Sequence, residues 1–126
     1  MSTVHASKES FNELVDKIGI VIVDFWAEWC GPCKRFGPIF ESASDKHKDV
    51  VFAKVDTEEQ PELAGGFGIR SIPTLMVFRD QVLIFAQAGA LPAEALEEVI
   101  AQVKALDMVE VKKKIAEAEA QESPAT

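Results

Sequence analysis

A chain of 126 residues, 48% apolar and 27% charged, fits one folded domain with a hydrophobic core and excludes bulk disorder. The formal net charge of −8 argues against nucleic acid or an anionic membrane as partner, because phosphate contacts need clustered Lys and Arg. The first ten residues are polar, with no apolar leader, and no run approaches a membrane span, so the expected location is the cytoplasm. In a reducing compartment a lone cysteine pair is more often catalytic or metal-binding than structural.

Taken in chain order, Ser7 is a candidate cap for a helix carrying Phe11, Leu14, Val15 and Ile18 at helical spacing, stopped by Gly19. Ile20–Trp26 (IVIVDFW) is a nearly continuous apolar run rich in β-branched residues, the pattern of a strand buried on both faces. It leads into Cys30-Gly31-Pro32-Cys33, after which Phe36, Ile39, Phe40 and Ala43 form a helical stripe. Pro38 falls inside that stripe and is expected to kink the helix. Residues 50–56 (VVFAKVD) read as a second buried strand, and Pro61 suits the first turn of a short helix ending near Gly65-Gly66.

Residues 74–78 and 82–86 read as two antiparallel strands joined by a tight turn at Arg79-Asp80-Gln81. A helix is expected over 92–105, with Leu96, Val99, Ile100 and Val103 inward. Alternating helix and strand units followed by a hairpin indicate an α/β fold with a mixed sheet. Asp107 and Glu110 have capping-box spacing, and Met108, Val111, Ile115 and Ala118 form a thin stripe. A last helix is therefore expected over 108–120, followed by a disordered Ser-Pro-Ala-Thr tail. The domain is read as residues 1–106, with 107–126 as a helical extension.

The chemistry points to the two cysteines. Disulfide exchange needs a thiolate attacker and a second thiol close enough to displace the substrate sulfur. A CxxC pair on the first turn of a helix supplies both, since residues three apart share a face. Cys30, at the helix start, meets unsatisfied N–H groups and the positive pole of the helix, which favour thiolate. Cys33 lies one turn deeper and is expected to be less exposed, so Cys30 is the candidate attacker and Cys33 the resolving thiol. Pro32 stiffens the loop and Gly31 admits a close substrate backbone. Lys34 and Arg35 add positive charge nearby and are read as solvated.

Zinc needs about four ligands, and His5 and His47 lack zinc-finger spacing to the two cysteines, so no metal is expected. A purely structural disulfide closing so small a loop would stabilise little.

The stretch Val23-Asp24-Phe25-Trp26-Ala27-Glu28-Trp29-Cys30-Gly31-Pro32-Cys33-Lys34, with Gly68-Ile69-Arg70-Ser71-Ile72-Pro73-Thr74 and Gly89-Ala90-Leu91, resembles the thioredoxin family over about residues 7–106. The resemblance implies a thioredoxin fold: a central mixed five-stranded sheet flanked by four helices, here with one extra C-terminal helix. It implies reduction of protein disulfides in cell redox homeostasis and electron transport. It also implies a reversible Cys30–Cys33 disulfide and no bound cofactor. The pair would be re-reduced by a flavoprotein reductase (thioredoxin reductase) that uses NADPH. The partners implied are that reductase and disulfide-containing clients, with the chain itself a monomer.

Position by position, the resemblance makes Cys30 the attacker, Cys33 the resolver, Asp24 the buried carboxylate that exchanges a proton with Cys33, and Lys54 the lysine near it. An Asp inside IVIVDFW should be desolvated, and burial raises a carboxyl pKa toward the useful range. Pro73 matches a cis-proline facing the site, a place suited to one on bond chemistry. Trp29, Gly31, Pro32, Ile72, Pro73, Gly89 and Ala90 would line an apolar docking surface. Trp26 reads at least as well as a core aromatic beneath the site, and Pro38 matches a helix-kinking proline.

Three features depart from the pattern. The Arg79-Asp80-Gln81 turn lacks the usual glycine, Ala88 replaces a larger valine, and the C-terminal helix has no counterpart in a minimal member. That helix is expected to pack on the domain or extend the last helix, the alternative being partner docking or self-association. Two functional alternatives stay open: a dedicated electron donor to one client enzyme, and a non-catalytic binding module.

Overall fold

The computed structural model describes residues 2–122. In chain order it contains β1 (Thr3–His5), α1 (Lys8–Val15), β2 (Ile20–Trp26), α2 (Gly31–Lys46), β3 (Val51–Asp56), α3 (Pro61–Gly66), β4 (Thr74–Arg79), β5 (Val82–Ala88), α4 (Ala93–Ala105) and α5 (Met108–Glu122). The five strands form one sheet in the order β1-β3-β2-β4-β5. β1, β3 and β2 are parallel, whereas β4 is antiparallel to both of its neighbours, β2 and β5, so the sheet is mixed.

β2 lies at the centre, and six of its seven residues are buried, as its apolar run requires. Strand alternation sends its side chains to two separate cores. Ile20 and Ile22 join Phe36, Phe40, Leu96 and Ile100 of α2 and α4 on one face. Val21, Val23 and Phe25 join Phe11 and Phe78 on the other. Each core is built on aromatic rings at favourable edge or tilted geometry: Phe40 and Phe52 have centroids 5.2 Å apart, and Phe11 and Phe67 5.2 Å. Each such ring contributes roughly 1.5–3 kcal/mol by leaving water.

The periodicity missed β1, a strand of three residues at the sheet edge that is held by parallel pairing with β3. α1 ends at Val15 rather than at Gly19, so Ile18 lies outside it and is 77% exposed. Its capping box uses Ser7 and Ser10. α2 continues through Pro38 to Lys46. α4 starts at Ala93, with Pro92 as its N-cap, and β5 continues to Ala88.

The hairpin turn is tighter than expected. Arg79 pairs with Val82, leaving Asp80 (φ 50) and Gln81 (φ 73) as two left-handed turn residues. Asp80 is held there from α1's exit: its carboxylate accepts the Gly19 N–H at 2.8 Å, and its own N–H donates to the Gly19 carbonyl at 2.9 Å. The Gln81 side-chain amide donates to the Asp16 carbonyl at 2.7 Å.

α5 begins on Asp107, whose carboxylate accepts the N–H groups of Val109 and Glu110 at 3.1 and 3.3 Å. Met108 is its buried residue, while Val109 is 79% exposed. The Ser-Pro-Ala-Thr stretch at 123–126 lies outside the described residues. No helix among the described residues is long and apolar enough to cross a membrane.

Candidate active site

β2 delivers the chain to Ala27, and a short turn leads into α2, whose N-cap is Cys30. The Cys30 sulfur accepts the Cys33 N–H at 3.1 Å, so it sits where a capping oxygen would sit, against the first-turn amides. Cys30 and Cys33 are linked as a disulfide, with Cα atoms 5.2 Å apart. Cys33 is not the less exposed of the pair: Cys30 is 3% and Cys33 4% exposed. Bonding the two sulfurs on one helix turn tucks both against Ala27, with Trp26 and Ile72 packed on the cluster. Trp26 thus supports the site from the core side.

The facing wall comes from the segment before β4. The Ile72–Pro73 bond is cis, and the Ile72 carbonyl oxygen lies 3.6 Å from the Cys30 sulfur. Gly89, at φ 105, donates its N–H to the Pro73 carbonyl at 2.8 Å, which joins the end of β5 to the same wall. Of the expected docking residues, Trp29, Gly31, Pro32, Gly89 and Ala90 are exposed, Ile72 is half-buried and Pro73 is buried. Pro73 therefore supports this wall from beneath more than it offers surface.

Asp24 is 1% exposed on β2, opposite Leu75 of β4 and Lys54 of β3. Alternation puts it on the face of Ile20, Ile22 and Trp26, the face covered by α2 and hence by the helix that carries the dithiol. Neither of its carboxyl oxygens has a hydrogen-bond partner among the described residues. Burial raises its pKa from 3.8 to about 7, partly opposed by the positive charge of Lys54. Lys54 is half-buried, with its ammonium 4.8 Å from the centroid of the Trp26 ring.

Sequence reasoning missed Glu58. Its carboxylate accepts the Trp29 indole N–H at 2.9 Å, fixing a ring that is 69% exposed directly beside Cys30. The loop around it is knitted to the site: the Thr57 N–H and hydroxyl both donate to the Trp26 carbonyl, at 2.9 and 3.1 Å. The contact spans 29 residues, and no local pattern announces it. No group of three or more His, Cys, Asp or Glu among the described residues is arranged to hold a metal ion.

Comparison with known proteins bears on the same residues. A profile of the thioredoxin family matches residues 2–102. A Streptomyces coelicolor protein provisionally named thioredoxin 2 is 59% identical over 120 residues, covering 95% of this chain and 90% of that one. That alignment must include most of the stretch beyond residue 106. The thioredoxin of Bacillus subtilis is 40% identical over 101 residues, 79% of this chain and 96% of its own. Among solved structures, a thioredoxin of Malassezia sympodialis superposes with a TM-score of 0.73 at 38% identity, over 80% of this chain and 90% of that one. The fold, the dithiol at the end of the central strand and these matches agree: the chain belongs to the thioredoxin family of thiol–disulfide oxidoreductases.

Proposed function

We propose that the reductase activity of this family member runs through Cys30 as attacking sulfur and Cys33 as resolving sulfur. The carrying observation is the Cys30 sulfur at the α2 N-cap, receiving the Cys33 N–H and facing the Ile72 carbonyl. Amide donation and the helix pole favour a thiolate there.

In the first step the Cys30 thiolate attacks one sulfur of a client disulfide. A mixed disulfide forms, and the other client sulfur leaves as a thiolate and takes a proton. In the second step Cys33 gives its proton to ionised Asp24, and its thiolate attacks the Cys30 sulfur. The second client sulfur leaves as a thiolate and takes a proton, and the chain is left as the Cys30–Cys33 disulfide. Two electrons have moved to the client, carried by the protein's own sulfurs without a bound cofactor. The raised pKa of Asp24 and its unpartnered carboxyl suit a group that takes and returns one proton near neutrality. Lys54, opposite Asp24, tunes that carboxyl by charge.

Trp29, Gly31, Pro32, Ile72, Gly89 and Ala90 form the docking surface in this reading, backed by the buried Pro73, with the Ile72 backbone available to an extended client strand. The finer assignments go with it. Residues 1–106 are the working domain and 107–126 an extension. The chain acts in the cytoplasm as a monomer, in electron transport for redox homeostasis. A flavoprotein thioredoxin reductase returns it to the dithiol with electrons from NADPH.

The test is the rate of insulin disulfide reduction with dithiothreitol as the terminal reductant. The protein should accelerate it strongly, and Cys30→Ser should return it to the rate of dithiothreitol alone. Cys33→Ser should instead stall a mixed disulfide on Cys30. Trapping on Cys33 in the Cys30→Ser variant but not on Cys30 in Cys33→Ser would reverse the two roles.

A further inference from the structure

The surface beside the dithiol carries charge in an arrangement that the exchange chemistry does not use. Four cations elsewhere on the fold have acidic partners: Lys8 with Glu62, Lys48 with Asp45, Arg79 with Asp80 and Lys104 with Asp49. Arg35 and Arg70 are exposed and have no ion pair or hydrogen bond among the described residues, although the chain carries a net charge of −8.

Arg35 sits at the dithiol, and Arg70 is near its facing wall in the chain. The Arg35 guanidinium folds back one turn along α2, with Nη1 3.8 Å from the point where a Gly31 side chain would begin. It therefore lies over the residue that follows Cys30. Arg70 is two residues ahead of Ile72, whose carbonyl oxygen is 3.6 Å from the Cys30 sulfur. Two residues of chain span at most about 7 Å, and an Arg side chain reaches as far again. The acidic groups near the site lie with the other wall: Glu28 adjoins Trp29 in sequence, and the Glu58 carboxylate is already engaged by the Trp29 indole. A free guanidinium group thus lies beside Gly31, and the exposed Arg70 is within reach of the same edge through Ile72.

We infer that Arg35 and Arg70 form a carboxylate-reading edge of the docking surface, so that client disulfides flanked by Asp or Glu are reduced in preference to those flanked by Lys. The inference rests on the docking surface proposed above. A guanidinium matches a carboxylate through two parallel N–H donors, which gives register as well as attraction. The whole-chain charge repels acidic clients at long range, so selectivity has to come from this short-range edge and not from steering. Lys34, exposed and next to Arg35, adds to the same field.

The experiment uses the reduced full-length protein in single turnover against three disulfide peptides that differ only in the flanking residues: Glu, Gln or Lys. The second-order rate constant with the Glu peptide should exceed that with the Lys peptide by about fivefold, the scale of two exposed ion pairs. High salt should shrink the ratio. In the Arg35→Gln, Arg70→Gln double variant the ratio should fall below about twofold. A ratio is insensitive to any change in Cys30 reactivity that the substitutions bring. A wild-type ratio near unity, or one unchanged in the double variant, overturns the inference while leaving the exchange mechanism intact. Failure of the Gln peptide to react at all would instead count against the docking surface itself.

Discussion

Asp24 and Lys54 face one another across the parallel pairing of β2 and β3, and the same lysine lies 4.8 Å from the centre of the Trp26 ring. A buried carboxyl, a half-buried ammonium and an indole are therefore gathered at the centre of the sheet, with the indole packed against the dithiol.

Asp24→Asn should stabilise the protein above neutral pH and slow its turnover. Burial raises the folded pKa from 3.8 to about 7, so ionising Asp24 costs stability. Its favourable contribution is complete below the unfolded value and is lost as pH rises through about 7. The asparagine variant should gain on the order of 3 kcal/mol at about pH 8 in urea unfolding, with little gain in acid. Turnover should fall about ten- to a hundredfold, because the resolving step loses its base. A variant no more stable than wild type at alkaline pH would sink the account.

Lys54→Met should move the pH midpoint of the resolving step upward. The ammonium charge lowers the Asp24 pKa against the effect of burial, and methionine keeps the bulk while removing the charge. Lys54→Arg should leave the midpoint near wild type. Stopped-flow decay of the mixed disulfide against pH measures both, and a midpoint indifferent to the charge would show that the two groups are uncoupled.

Glu58→Ala should loosen the Trp29 ring and weaken client docking. We expect KM to rise about two- to fivefold with kcat nearly constant, since the lost bond is a single exposed one. Glu58→Gln keeps an acceptor oxygen and should recover most of the loss. Fluorescence anisotropy of Trp29, in a background with Trp26 replaced, reports the ring's motion directly. Unchanged anisotropy in Glu58→Ala would rule out the positioning role.

Truncation after Leu106 should leave insulin reduction within about twofold of the full chain. Loss of Met108 from its buried site should cost about 1–3 kcal/mol of stability, and Met108→Ala should reproduce most of it. The junction is held by Arg79, whose Nη1 donates to the Val103, Lys104 and Leu106 carbonyls at 2.5, 3.1 and 2.8 Å. Arg79→Ala should cost about 2–3 kcal/mol, as expected for charge-assisted bonds to helix-end carbonyls. A large loss of turnover in the truncated protein would mean that α5 belongs to the working domain.

The sequence by itself determined what is local. The β-branched run Ile20–Trp26 had one stable use, a strand buried on both faces, because only that position satisfies its backbone while hiding every side chain. The spacing of Cys30 and Cys33 placed both thiols on one helical turn, and an Asp within an apolar run had to be desolvated. What depended on distant partners was decided by tertiary structure alone. β1 is too short to show a period and exists because β3 offers it an edge. Asp80 and Gln81 adopt left-handed turns because Gly19 and Asp16 bond them from another part of the chain. Equal burial of the two cysteines, the Glu58–Trp29 bond and the Arg79 clasp likewise arise only after the sheet has closed. The reason is physical: periodicity records which face of an element meets the core, but not which residue of another element meets it there. The dithiol's spacing was therefore legible at once, whereas the groups that tune and surround it took their places only in the fold.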